Sequence, residues 1–224
     1  MNATGEPSSS GGDHMKKALL KVLNVNQDSA YSDPKSVLKE YDIFLAINGI
    51  YRSNDIESYR KKIRKKTELC DEIITLYKKA TLENERILLL EDLFAIGYDS
   101  DKLVEMILAV FSYKNRPANL WEYGDLLYTI RNFRYLTQYI KIIEDYTLGD
   151  DRQMVILLVG KSREEKVIPI LTSLLDDSTV YGHALEALSC FSGEEIDRIM
   201  IKYMNCSVKW ISRIAQGYMA KYRK

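Results

Sequence analysis

Chemistry-bearing residues are scarce in this chain. In 224 residues there are 2 His, 3 Cys, 4 Pro and 11 Gly. One histidine, His14, lies in a Gly-, Ser- and Thr-rich stretch, so His183 stands alone in the rest of the chain. That count excludes an HExxH site, a two-histidine metal site and a second histidine for a relay. The cysteines, Cys70, Cys190 and Cys206, are odd in number and lack metal-ligand or redox spacing, which predicts a reducing, cytoplasmic location. Apolar runs are short, Val155–Val159 being typical, so no membrane span or membrane partner is expected. No charged-then-apolar start reads as a secretory signal. Lys+Arg and Asp+Glu are both 32, so net charge is zero and a globally basic nucleic-acid binder is not indicated. Gly160-Lys161-Ser162 lacks the upstream glycine of a phosphate-cradling loop and sits at a helix end. No metal or cofactor is expected.

What is present is helical. Apolar residues make up 46% and charged residues 29%, a globular balance, and Leu, Ile, Lys and Glu are plentiful where Gly and Pro are few. Residues 1–14 read as a disordered leader or cloning tag, with His14-Met15 resembling a junction before a natural start. Residues 15–224 read as one domain, irregular over 15–97 and regular over 98–224. In the irregular part the spacing predicts helices over 16–24, 35–52, 55–80 and 83–96.

The second half repeats. Ser162-Arg163-Glu164-Glu165 and Ser192-Gly193-Glu194-Glu195 are S-x-x-E capping boxes 30 residues apart. The stripes Val167, Ile168, Leu171, Leu174 and Ile196, Ile199, Met200, Tyr203 follow them with a 3.6-residue period. Each stripe ends at a polar break, Asp176-Asp177-Ser178 or Asn205-Cys206-Ser207, before a second helix. First helices are predicted to begin near 101, 134, 165 and 194, and second helices near 120, 151, 178 and 207. Helix pairs with a period close to 30 stack because one pair cannot bury its own apolar face.

The segment Asp176–Ala187 resembles the inter-helix turn and second helix of a HEAT-like repeat, as do Asn205–Ala215 and Gly149–Gly160. More narrowly, Arg152-Gln153-Met154, Gly182-His183-Ala184 and Trp210-Ile211-Ser212-Arg213 resemble bacterial HEAT-repeat proteins found as stand-alone cytoplasmic chains. The resemblance covers about residues 100–224. It implies an all-α, right-handed α-solenoid of about five to six helix pairs with a protein-binding concave surface, and it carries over no catalytic residue.

Site candidates cluster near the starts of the second helices: Trp121 with Asp125, Arg152 with Gln153, His183 beside Gly182, and Trp210 with Arg213. In a solenoid these fall into one row, and Trp and Arg are the usual anchors of protein interfaces. A glycine between an arginine and a tryptophan would leave a recess. The bland alternative is packing: Arg152 and Arg213 pairing with Asp145, Asp150, Asp151 or Asp177 between repeats, and the tryptophans filling gaps. The row predicts a non-catalytic module for a protein or peptide, one version being an antidote to a toxin or a regulator of an enzyme. A second reading is chemical. Trp121 and Asp125, with Arg152 and Trp210, resemble the aromatic-plus-carboxylate cleft of HEAT-like alkylpurine DNA glycosylases. Against it, residues 121–224 hold 14 Lys+Arg and 14 Asp+Glu, too balanced for a phosphate-holding surface.

One dense basic run remains, Arg60-Lys61-Lys62-Ile63-Arg64-Lys65-Lys66. Arg60, Lys61, Lys62, Arg64, Lys65 and Lys66 form either a phosphate-binding patch for nucleic acid or an acidic partner, or the solvated face of the helix expected over 55–80.

Overall fold

Apolar residues at helical spacing become buried helix faces throughout the computed structural model, which describes residues 33, 35–52, 55–114 and 116–222. The leader expected at 1–14 and the helix expected at 16–24 lie outside the described residues. All regular structure among the described residues is helical, with no strand and no helix long and apolar enough to cross a membrane. Contacts divide the chain into two compact units, residues 1–99 and 100–224.

The first unit holds α1 (Leu38–Ile47), α2 (Ile56–Ile63), α3 (Cys70–Lys79) and α4 (Glu83–Ile96). The single helix expected over 55–80 is two. Its stripe runs Tyr59, Ile63, then Leu69, Ile73, Leu76, all buried. Ile63 and Leu69 are six residues apart, which puts them on different faces of a straight helix. The chain breaks between them instead. Arg64 is extended (ψ 130°), Lys65 is left-handed (φ 65°), and a short 3-10 turn over Thr67–Leu69 restarts the phase.

Helix α4 anchors this unit with two buried carboxylates. Asp92 accepts hydrogen bonds from the Tyr41 and Tyr59 hydroxyls at 2.6 Å each. Glu85 accepts from the Ser36 hydroxyl at 2.5 Å and from the Val37 amide at 3.1 Å, which fixes the approach to α1. Burial pushes the Asp92 carboxyl above its ordinary value although both phenols oppose this, and burial beside Asp92 pushes both phenols up.

The second unit is built of four helix pairs. They are α5 (Ser100–Phe111) with α6 (Leu120–Ile130), and α7 (Leu136–Glu144) with α8 (Gln153–Lys161). Next come α9 (Ile168–Ser173) with α10 (Tyr181–Leu188), then α11 (Glu194–Tyr203) with α12 (Lys209–Tyr222). Each first helix packs on its own second helix, and the second helices pack on one another in the order α6, α8, α10, α12. Small residues allow that approach. A Cβ built on Gly160 would lie 2.7 Å from Ala187 Cα and 2.8 Å from its carbonyl oxygen, so α8 and α10 touch through backbone.

Helix starts fall where the period predicts, but neither capping box forms. The Ser162 hydroxyl donates to Val159 O and accepts the Glu164 amide, one residue short of the box geometry, because Arg163 is left-handed (φ 55°). At the second box Gly193 (φ 132°) is the cap residue, with no side-chain cap, and Glu194, Glu195 and Asp197 face the positive end of the helix dipole.

Gly160→Ala should lower unit stability by about 1–3 kcal/mol, because its methyl meets backbone that cannot retreat. Gly217→Ala, in the interior of α12 with nothing within 4 Å, should stabilise by about 0.5–1 kcal/mol. Thermal denaturation of the two variants checks both signs; a Gly160→Ala protein melting at or above wild type contradicts the close packing.

Candidate functional site

The second helices run parallel, as equivalent positions show. The Trp121 amide donates to Asp151 Oδ1 at 3.2 Å, 30 residues on. A Cβ on Gly124 would meet Met154 and Val155, and the Gln153 side-chain amide donates to Thr179 O at 3.2 Å. Gly182 lies under Trp210. The first turns of α6, α8, α10 and α12 are therefore neighbours at one edge of the row, and the expected alignment of Trp121, Gln153, His183 and Trp210 is present in that sense.

Arg152 has a different place from the exposed anchor of the binding reading. It is fully buried at the end of the 3-10 turn Tyr146–Arg152. Its Nε donates to Gly149 O at 2.9 Å and one terminal nitrogen to Ile143 O at 2.8 Å. The other donates to the Asp177 carboxylate. The Tyr146 ring covers the guanidinium at 4.8 Å. Fully buried, with three acceptors around it and a ring over it, the guanidinium is out of reach of a partner, so the alternative of inter-repeat pairing holds for Arg152. The same arrangement occurs one pair earlier, where Arg116 donates to Asp145 at 2.9 Å and to the Thr147 hydroxyl at 3.1 Å.

Both aspartates organise an Asp-x-Thr turn. Asp145 accepts from the amide and hydroxyl of Thr147, and Asp177 from those of Thr179. The Thr147 hydroxyl leads in holding Asp145 below the ordinary carboxylate value. Partial burial works against the Asp177 charge, but Thr179 and Arg152 together outweigh it and hold that carboxyl low as well.

The tryptophans are the exposed anchors. Trp121 is 51% exposed and Trp210 38%. The recess expected at Gly182 is occupied: the Trp210 indole lies on Gly182 and meets the His183 ring at 5.5 Å between centroids. Burial holds the His183 imidazole below its ordinary value, with Glu186 opposing. Asp125 is exposed, one turn along α6 from Trp121. Arg213 is exposed and donates only to Lys209 O, at 3.3 Å, so it pairs with none of the turn aspartates. Tyr146 and Met154 were not among the site candidates; Tyr146 is exposed over Arg152, and Met154 is half-buried on α8. Beside Tyr146 an open depression of about 410 Å³ is lined by Gly149, Ser173, Asp176, Asp177, Ser178 and Thr179.

In the first unit all six cations of the basic run are exposed. Arg60 pairs with Glu91 at 3.1 Å and Lys66 with Glu68 at 3.6 Å. No group of three or more His, Cys, Asp or Glu converges among the described residues. Compared with protein families, curated proteins and solved structures, the chain finds no match.

Arg152→Met should destabilise the second unit by about 3–5 kcal/mol, since it strands a carboxylate and two carbonyls. Asp177 is held low when folded, so its contribution is present above the unfolded carboxylate value and lost as pH falls through the folded one. Acid titration of stability should therefore be shallower in Arg152→Met; equal slopes contradict the pairing. In a Trp121→Phe background, Trp210 emission should titrate with a midpoint below 6.5, from His183. A midpoint at or above 6.5 contradicts a partly buried imidazole.

Proposed function

We propose that the chain is a non-catalytic protein-interaction module. Its helix pairs form a right-handed, HEAT-like solenoid of about five to six pairs, and the second helices line a concave face that takes a protein or peptide. The observation that carries this reading is the pair of half-exposed tryptophans on the first turns of α6 and α12, at the two ends of one packed row. A large aromatic surface left in water where the fold could bury it is the usual signature of an interface anchor. Met154 and His183 lie between them, and Asp125, Gln153 and Arg213 supply polar contacts.

Two features favour this reading over base excision. The Arg152 guanidinium is fully buried against protein acceptors, so it meets neither a phosphate nor a base. Trp121 and Trp210 sit on helices three spacings apart in the row, roughly 25 Å at the usual 8–10 Å per spacing, too far to enclose one base. A cytoplasmic setting, with an antidote or enzyme regulator as the narrower role, is in keeping with the three free thiols.

The test is affinity capture from the source cell, with nuclease present. Wild type should retain a stoichiometric protein. Trp121→Ala should weaken its recovery about thirtyfold or more, as loss of an interface anchor of about 2 kcal/mol does. Trp210→Ala also removes packing on Gly182, so Arg213→Glu, which alters only an exposed charge, serves as the companion variant. Recovery unchanged in both Trp121→Ala and Arg213→Glu excludes this face.

A further inference from the structure

The break between α2 and α3 converts a run of charge into a rigid, exposed knuckle. Helix α2 ends at Ile63, whose side chain is fully buried, so every other residue from Arg60 to Lys66 faces solvent. The turn is pinned. The Lys65 amide donates to Ile96 O at the end of α4, at 3.1 Å, and the Lys66 amide to Ile63 O at 3.0 Å. Arg131 and Arg163 share the left-handed conformation of Lys65, but as single cations; Lys65 is flanked by Arg64 and Lys66.

Nearby acids neutralise only the edges of this knuckle. Glu91 takes Arg60 and Glu68 takes Lys66. Lys61, Lys62, Arg64 and Lys65 are exposed and carry no ion pair among the described residues, which leaves four neighbouring cations uncompensated there. Helix C-termini favour cations, and one or two there would satisfy the α2 dipole. Four at this spacing repel one another and call for a polyanion.

We propose that this knuckle binds the phosphate backbone of a nucleic acid, without reading its sequence. A backbone offers the closely spaced negative charge that four clustered cations can neutralise together. A lipid surface fits less well, because the run exposes no apolar side chain to enter a bilayer, its one apolar residue, Ile63, being buried. Nothing in the run is aromatic, so stacking on bases is absent and selectivity among sequences with it.

The test uses the full chain and a labelled 20-base-pair DNA duplex of mixed sequence, followed by fluorescence anisotropy against salt. Four released counterions give a slope of about −3.6 in log affinity against log salt, about a hundredfold loss between 50 and 200 mM. Lys61→Glu/Lys62→Glu should abolish binding, with circular dichroism unchanged, since neither side chain has a partner among the described residues. Lys65→Gly should lower the slope by about one while keeping or raising stability, because glycine adopts a positive φ freely. Binding unaffected by these variants, a flat salt response, or no duplex binding at 50 mM salt overturns the proposal. So does retention on phosphatidylserine vesicles without duplex binding. Because the knuckle lies in the first unit, its failure leaves the tryptophan row of the second unit untouched.

Discussion

The second unit depends on one buried cation. Arg152 enters the interior because three oxygens from separate segments converge there: the end of α7, the Gly149 turn, and Asp177 of the next pair. Each alone would be an awkward buried group. Two are carbonyls at or just beyond a helix end, and the third is a carboxylate. Together with one planar, five-donor guanidinium they are satisfied at once, which lysine could not do with a point charge. The arrangement makes neighbouring pairs conditional on one another, as expected where a helix pair cannot bury its own face. Arg116 and Asp145 repeat the device nearer the surface. There the Thr147 hydroxyl helps to hold the carboxylate, and more of the energy is open to screening.

That role decides what the surface can do. An arginine looks like an interface anchor in a sequence because its chemistry suits both uses. Once Arg152 is enclosed, the proposed recognition at the row edge is left to residues whose burial is incomplete. Trp210 covers Gly182 with one part of its indole and leaves the rest in water, so one side chain both closes the packing of α10 on α12 and offers contact area. Trp121 has less packing to do and is the freer of the two. A side chain already held by packing loses less freedom on binding, which is how Trp210 would serve the proposed interface.

Most of the architecture was legible because helical periodicity is a property of the chain alone. The starts of the eight helices from Ser100 onward follow from the stripes and the polar breaks. What was not legible depends on phase and on partners remote in sequence. The S-x-x-E pattern at Ser162 looked like a capping box, but a left-handed Arg163 shifts the cap by one residue. The run 55–80 looked like one helix because each half has the right period. The six-residue step from Ile63 to Leu69 marks the break, but Cys70, seven residues from Ile63 and also buried, keeps the phase of one straight helix. Gly182 was correctly read as making space, and wrongly as leaving it empty, since composition does not say which neighbour turns inward.

The break at Arg64–Lys66 shows how a core requirement sets a surface. Had the helix continued, the six cations would spread around its solvent face, with Glu57, Glu68, Asp71 and Glu72 interleaved at helical spacing. The turn at Arg64–Lys66 lets Ile63 and Leu69 be buried together, and it carries Arg64, Lys65 and Lys66 as a cationic corner fixed to the end of α4. Helix α4 also bears Asp92 and Glu85, so it supports the knuckle and binds α1 and α2 with buried carboxylates. Asp92 is held by two phenols and kept above its ordinary value by burial, so its charge becomes costlier to the fold as pH rises from about 4 through that raised value. The two hydroxyls that soften this cost come from α1 and α2, which makes their docking on α4 the condition for burying the charge at all.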